Sequence, residues 1–276
     1  MQETLLREQH ASQLIAERLW CKVLIHDNMI EMNSWDGAIT LETGLDLFKW
    51  KQYESEVILL TVRWYLKYSL SYRDLVEMME ERGLRMAHTT IMRWVHEFGP
   101  ELDKRIRPYL KPTNDSFRTD ETYIKVKGQW KYLYRAVDSK GNTIDFMLSE
   151  NRDAPAAKRF FKKALTSTHN QLPRVITVDK NPAYPIAVQQ LKDENAMKQK
   201  TLLRQKKYLN NIIEQDHRFI KKIIKPMLGF KSFETAEYTI AGIEVMHMLR
   251  KGQVVCIHSS VLSSVELINK LFGLTA

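Results

Sequence analysis

The chain has 276 residues, 44% of them hydrophobic, enough for one large core or two moderate ones. Forty-two Lys and Arg against 33 Asp and Glu leave a net charge of +9, which favours a polyanionic partner such as nucleic acid, and no apolar stretch reaches the roughly 20 residues of a membrane span. Two cysteines, Cys21 and Cys256, exclude a disulfide framework and a Cys/His zinc spacing; with no basic-then-apolar leader at the start, the expected compartment is the reducing cytoplasm.

Charge is unevenly spread. Residues 1–46 hold three basic and eight acidic side chains, net −5, so the remainder carries +14 and a boundary is expected near Leu47. In this acidic extension Leu14, Ile15, Leu19 and Val23 fall at near-helical spacing, ahead of a loop-like Asn33-Ser-Trp-Asp-Gly37. It is read either as a partner-binding helix or as an upstream stretch translated from an early start.

Residues 47–112 read as three helices and a basic connector. Ile58, Leu59, Val62, Tyr65 and Leu66 make the first helix face. Ser71-Tyr-Arg-Asp74 is a capping-box start for a second helix with Leu75, Met78 and Met79 inward and Gly83 past its end. The third is expected over His88–Phe98, with Ile91, Val95 and Phe98 inward and Gly99-Pro100 closing it. Alone, this pattern suits a plain helical bundle; ahead of the core described next, it reads as a helix-turn-helix. Thr89, Thr90, Arg93 and His96 would then face DNA, Arg93 being the candidate to read a guanine edge.

Residues 113–252 begin with three strand-like runs separated by short Gly turns: Ser116–Val126, Gln129–Asp138 and Thr143–Leu148, the last with Ile144, Phe146 and Leu148 at period two. Asp120 lies inside the first. Aspartate is depleted in strands and costly to bury unpaired, so it is either a strand-end residue, in a turn or paired with Arg135, or a cation ligand. A helix capped by Asp153 follows, its Lys158, Arg159, Lys162 and Lys163 forming either a DNA-facing or a merely solvated side. Pro173–Asp179 is a short apolar strand ending in a second aspartate, followed by helix-start residues Asn181-Pro182. Ala183–Leu191 reads as a helix and Leu203–Leu209 as a strand delivering a helical run with Ile212, Ile213, Phe219, Ile220, Ile223 and Ile224 on one face. Glu214 stands on another, with His217, Arg218 and Lys221 one and two turns on. A closing helix over Phe233–Leu249 is expected to pack on the sheet, and residues 253–276 form a weakly helical tail.

Two strand-borne aspartates and a helix-borne glutamate could together hold two hard divalent cations through oxygen ligands, the arrangement that serves phosphoryl transfer. Asp179 follows Asp120 by 59 positions, and 34 residues separate it from Glu214.

Thr119-Asp-Glu-Thr-Tyr-Ile-Lys-Val126, Tyr132-Leu-Tyr-Arg-Ala-Val-Asp138, Val178-Asp-Lys-Asn-Pro-Ala-Tyr184 and Tyr208-Leu-Asn-Asn-Ile-Ile-Glu-Gln-Asp-His217 together resemble the insertion sequence six family of bacterial DDE transposases. The resemblance runs from about Leu47 to Ala276 and does not include the acidic extension. It implies an α/β, ribonuclease-H-like mixed sheet flanked by helices and preceded by an all-α helix-turn-helix domain. Asp120, Asp179 and Glu214 would be the catalytic metal ligands for two Mg²⁺ ions, with Mn²⁺ as a substitute, and Lys221 fits the family's basic position that contacts DNA; Arg218, on the same helix face, is a further candidate DNA contact. The implied activity is binding of terminal inverted repeats, strand cleavage and strand transfer into target DNA, by a homo-oligomer holding two ends. The rival expectations are a non-catalytic DNA-binding regulator and a nuclease that cuts without joining. Asp216, about 200° around the helix from Glu214, is expected to face away from the metals and to tolerate Asn.

Overall fold

Three helices precede the sheet. The computed structural model describes residues 47–206, 210–255 and 261–274; the helix expected within residues 1–46 lies outside them. α1 (Ser55–Lys67) buries Ile58, Leu59, Val62, Tyr65 and Leu66. α2 (Tyr72–Glu80) begins with the expected capping box: Ser71 Oγ accepts from Asp74 N and Asp74 Oδ2 from Ser71 N. Gly83 turns the chain with φ of 76°. α3 departs from expectation, running from His88 to Ile106 straight through Gly99-Pro100.

The sheet grows from one tight turn. Lys127 and Gly128 both take positive φ, 49° and 78°, the primed-turn geometry whose twist suits the strands it joins. β1 (Ser116–Val126) and β2 (Gln129–Val137) therefore pair antiparallel, from Val126 against Gln129 to Arg118 against Val137. β3 (Thr143–Ser149) completes the meander, while β4 (Val175–Val178) and β5 (Leu202–Gln205) add in parallel on the other side of β1. The order β3-β2-β1-β4-β5 is a ribonuclease-H-like mixed sheet. Strict alternation in β3 fails at one point. The register slips where Ala136 and Val137 face Asp145 and Thr143, so Ile144 is an extra, bulged residue and packs on the face opposite to Phe146 and Leu148.

One face of the sheet is covered by α4 (Ala154–Thr166) and α5 (Ala183–Asp193), whose Phe160, Phe161, Tyr184 and Val188 pack on Phe117, Tyr134, Ile144 and Ile176. The other face meets α6 (Asn211–Ile224) and α7 (Phe233–Arg250). α7 does more than lie on the sheet as expected: it is buried nearly all round, because α1 and α3 pack on its far side. The contact is made by glycines. A Cβ on Gly99 would come within 2.5 Å of the Tyr238 carbonyl oxygen, and one on Gly242 within 3.2 Å of the Gly99 Cα. Gly99 thus serves backbone contact with α7 rather than a helix end. The hydrogen bond lost at Pro100 is offset by burial of Leu102 and Ile106, each worth roughly 1.5–3 kcal/mol. Within the tail, α8 (Val261–Leu271) adds Ile268, Leu271 and Phe272 to the same core.

Candidate active site

β4 is shorter than β1. Its pairing with β1 ends at Arg118 and Thr177, so Asp179, just past Val178, comes to the exposed edge of β1 where Asp120 and Glu121 follow. Carboxylate oxygens of Asp120, Glu121 and Asp179 lie within 4.8 Å of one another. The backbone N–H of Asn181 donates to Asp179 Oδ1 at 2.9 Å, and Asn181 Nδ2 donates to Glu121 Oε1 at 3.2 Å. One cation spans the group: Arg152, in the loop after β3, donates through Nε to Glu121 Oε1 at 3.1 Å and through Nη2 to Asp179 Oδ2 at 3.0 Å. Asp120 receives no such bond from Arg152. Burial, then the charge of Glu121, then those of Asp179 and Glu214, push its carboxyl up to about 7.

Glu214 is carried by the first turn of α6. Asn210 Nδ2 donates to the Thr119 carbonyl at 3.2 Å, tying the start of α6 to β1, while Ile213, His217, Ile220 and Ile223 are buried. Glu214 lies exposed in the first turn, outside the 4.8 Å cluster yet close enough for its charge to raise Asp120. Arg218 and Lys221 continue its exposed face at i+4 and i+7. His217 turns inward, with Nδ1 3.8 Å from Asp120 Oδ2; burial, with the charges of Arg135 and Lys221, pushes its imidazole down to about 3, so it is neutral at pH 7.

Arg135 is the cross-strand neighbour of Asp120, but its guanidinium goes elsewhere. Its Nε and Nη2 donate to Glu244 at 2.6 and 2.9 Å, and Nη2 to Asp216 at 2.7 Å. Asp216 also meets His247 Nε2 at 2.6 Å and Lys251 Nζ at 2.8 Å. Asp216 does face away from the acid cluster, as expected. It is nonetheless the hub of a buried ion-pair network that ties α6 to β2 and α7, a structural role that the sequence reading did not give it.

On α3, Thr89 and Arg93 are exposed while Thr90 and His96 are half-buried, and burial lowers the His96 pKa. Among the described residues no helix is long and apolar enough to cross a membrane. Sequence reasoning missed Glu121 and Arg152. Glu121 adjoins Asp120, and adjacent strand residues normally point to opposite faces; only the early end of β4 lets both reach one space.

The donor set suits a divalent cation. Such ions take carboxylate oxygens at about 2.0–2.6 Å, so ligands on opposite sides of one ion stand roughly 4–5 Å apart, and the three oxygens here all lie within 4.8 Å of one another. Residues 114–253 match the family description "DDE domain". The transposase for insertion sequence-like element IS431mec of Staphylococcus aureus is 39% identical over 207 residues, covering 75% of this chain and 90% of the relative.

The chain belongs to the DDE transposases of the insertion sequence six family. As a member it is a DNA-cleaving and strand-transferring enzyme, and the family's chemistry implies a divalent metal. The transposase for element IS257 in transposon Tn4003, also from Staphylococcus aureus, is 38% identical over the same length. The solved HTLV-2 integrase catalytic core domain is a remoter neighbour, 14% identical with a TM-score of 0.37, covering 48% of this chain and 84% of its own. Strand order, not that likeness, assigns the fold of this transposase.

Proposed function

We propose that Asp120, Asp179 and Glu214 are the metal ligands of this transposase and that its substrate is the inverted-repeat end of its own element. The observation that carries the assignment is that two aspartates 59 positions apart are brought together, with the charge of Glu214 felt at Asp120. When bound, two Mg²⁺ ions, or Mn²⁺ in their place, would activate the attacking oxygen and offset charge on the leaving one. The chain's own residues prepare for this. Asn181 and Arg152 orient Asp179 and Glu121, and His217 stays neutral beside Asp120 and adds no competing charge. Arg218 and Lys221, on the exposed face of α6, suit phosphates of the bound duplex. Thr89, Thr90, Arg93 and His96 on α3 are proposed to read the end sequence, and two copies are proposed to hold two ends. The cluster of Asp120, Glu121 and Asp179 favours catalysis over a purely regulatory role, since a DNA-binding scaffold gains nothing from carboxylates that repel one another.

Glu121 is a second candidate for the third ligand, because it lies inside the cluster while Glu214 lies outside. Asp120→Asn, Asp179→Asn, Glu121→Gln and Glu214→Gln, each assayed for cleavage of labelled terminal DNA and for Mn²⁺ binding by titration calorimetry, separate the two. Loss beyond the roughly 10- to 100-fold cost of outer-shell changes is expected for both aspartates and Glu214. Should Glu214→Gln remain active while Glu121→Gln loses both metal and cleavage, Glu121 takes the role.

A further inference from the structure

The β1–β2 hairpin carries an aromatic row that the proposed chemistry does not use. Glu121, Tyr123 and Lys125 on β1 stand opposite Tyr134, Tyr132 and Trp130 on β2, so all six side chains project from one face. At one end Tyr134 is buried under Phe160 of α4, their ring centroids 5.7 Å apart. Beyond the start of α4 the row emerges: Tyr132 is half-buried, Tyr123 is 48% exposed and Trp130 61% exposed. The rings support one another, Tyr123 lying 5.5 Å from Tyr132 and 6.3 Å edge-on from Trp130.

Two further observations say what covers this shelf. It adjoins the acid cluster, since Glu121 precedes Tyr123 by two residues on the same face and Tyr123 is within electrostatic reach of Arg152. Cations also flank it: Lys125 opposes Trp130, Lys127 is exposed in the adjoining turn, and Arg152 closes the other end. Flat aromatic surface between cations suits a polyanion whose rings are free to stack, and duplex bases, stacked on their own neighbours, are not.

We propose that Tyr123, Tyr132 and Trp130 form a stacking site for unpaired nucleobases beside the strand being cut. The inference rests on the acid cluster being the cutting site. It gives the hairpin a task distinct from both end reading and metal holding: it takes up bases released when the duplex opens at the cut, keeping the reacting strand from re-pairing.

The test uses the full chain in EDTA, so that no cutting intervenes, with a fluorescein-labelled oligothymidylate and a blunt duplex of equal length as probes. Trp130→Ala should weaken binding of the single strand by about fivefold or more, with Trp130→Phe restoring most of it and duplex affinity unmoved. The exposed position makes both variants foldable, which circular dichroism checks. Equal losses on both probes, or no loss on the single strand, would overturn the proposal. So would unchanged single-strand affinity with a shift from dimer to monomer in sedimentation, which would assign the shelf to a second copy of the chain. Asp120→Asn should bind oligothymidylate like the unmodified protein. If it also keeps cutting, the acid assignment fails while the shelf is judged on its own probe.

Discussion

Asp120 and Arg135 face each other across β1 and β2, yet they belong to polar groups of opposite character. Around Arg135 every buried charge meets its complement. Although burial opposes it, the hydrogen bond with His247 and the charges of Arg135 and Lys251 hold the Asp216 carboxyl far below its ordinary value. Around Asp120 three further carboxylates crowd one carboxyl, with a single guanidinium for two of them, and its pKa rises. The first group is balanced in charge and ties α6 to β2 and α7; the second lacks positive charge, and that lack is what a cation would fill. Burial alone does not mark the functional group, since the balanced network is the more deeply buried of the two.

The comparison is broken most severely from its stable side. Arg135→Met takes from the buried Glu244 its guanidinium partner, while Asp216 keeps Lys251 and His247, and is expected to cost about 3–5 kcal/mol in urea unfolding. A loss under 1 kcal/mol would mean that the network is not structural. Asp216→Asn keeps shape but removes charge, with an expected cost of about 1.5–3 kcal/mol at pH 7. Because the folded-state pKa of Asp216 is depressed, its contribution is present above the unfolded value near 4 and disappears as pH falls below it, so the variant and the parent should converge in acid. The smallest effect has the opposite sign. The folded pKa of Asp120, about 7, exceeds its unfolded value of 3.8, so ionising it in the metal-free protein erodes stability as pH rises from about 4 through 7. Asp120→Asn should therefore raise Tm in EDTA at pH 8 and leave it unchanged near pH 4, while abolishing cleavage. A lower Tm at pH 8 would show that Asp120 is already balanced.

Much of this arrangement is legible in the chain. Ser71 and Asp153 announce their helices, Lys127-Gly128 its hairpin, and Asp120 and Asp179 stand out because acids are costly in strands. What stays hidden depends on distant partners. Nothing local shows that β4 stops early enough for Glu121 to join the cluster, or that Arg152 will bridge it. The helical pattern of α6 turns Asp216 away from Glu214, but only Arg135, His247 and Lys251, contributed by other elements, make it a hub. Gly99-Pro100 has the local chemistry of a helix end, and it is the bare backbone of Gly242, more than 140 positions later, that gives it another use. Ile144 obeys period two until a bulge that no nearby residue signals.

Backbone contact between Gly99 and Gly242 leaves no hinge between the helix proposed to read DNA and the sheet that holds the acids. The two act as fixed points on a ruler. For a protomer that reads and cuts the same end, inserting one base pair between the recognised sequence and the cut would move the phosphate about 3.4 Å along the axis and turn it by roughly 35°. A scaffold whose helices touch at the backbone cannot stretch to follow. Spacing within the element's end, as much as its sequence, would then decide which DNA is cut.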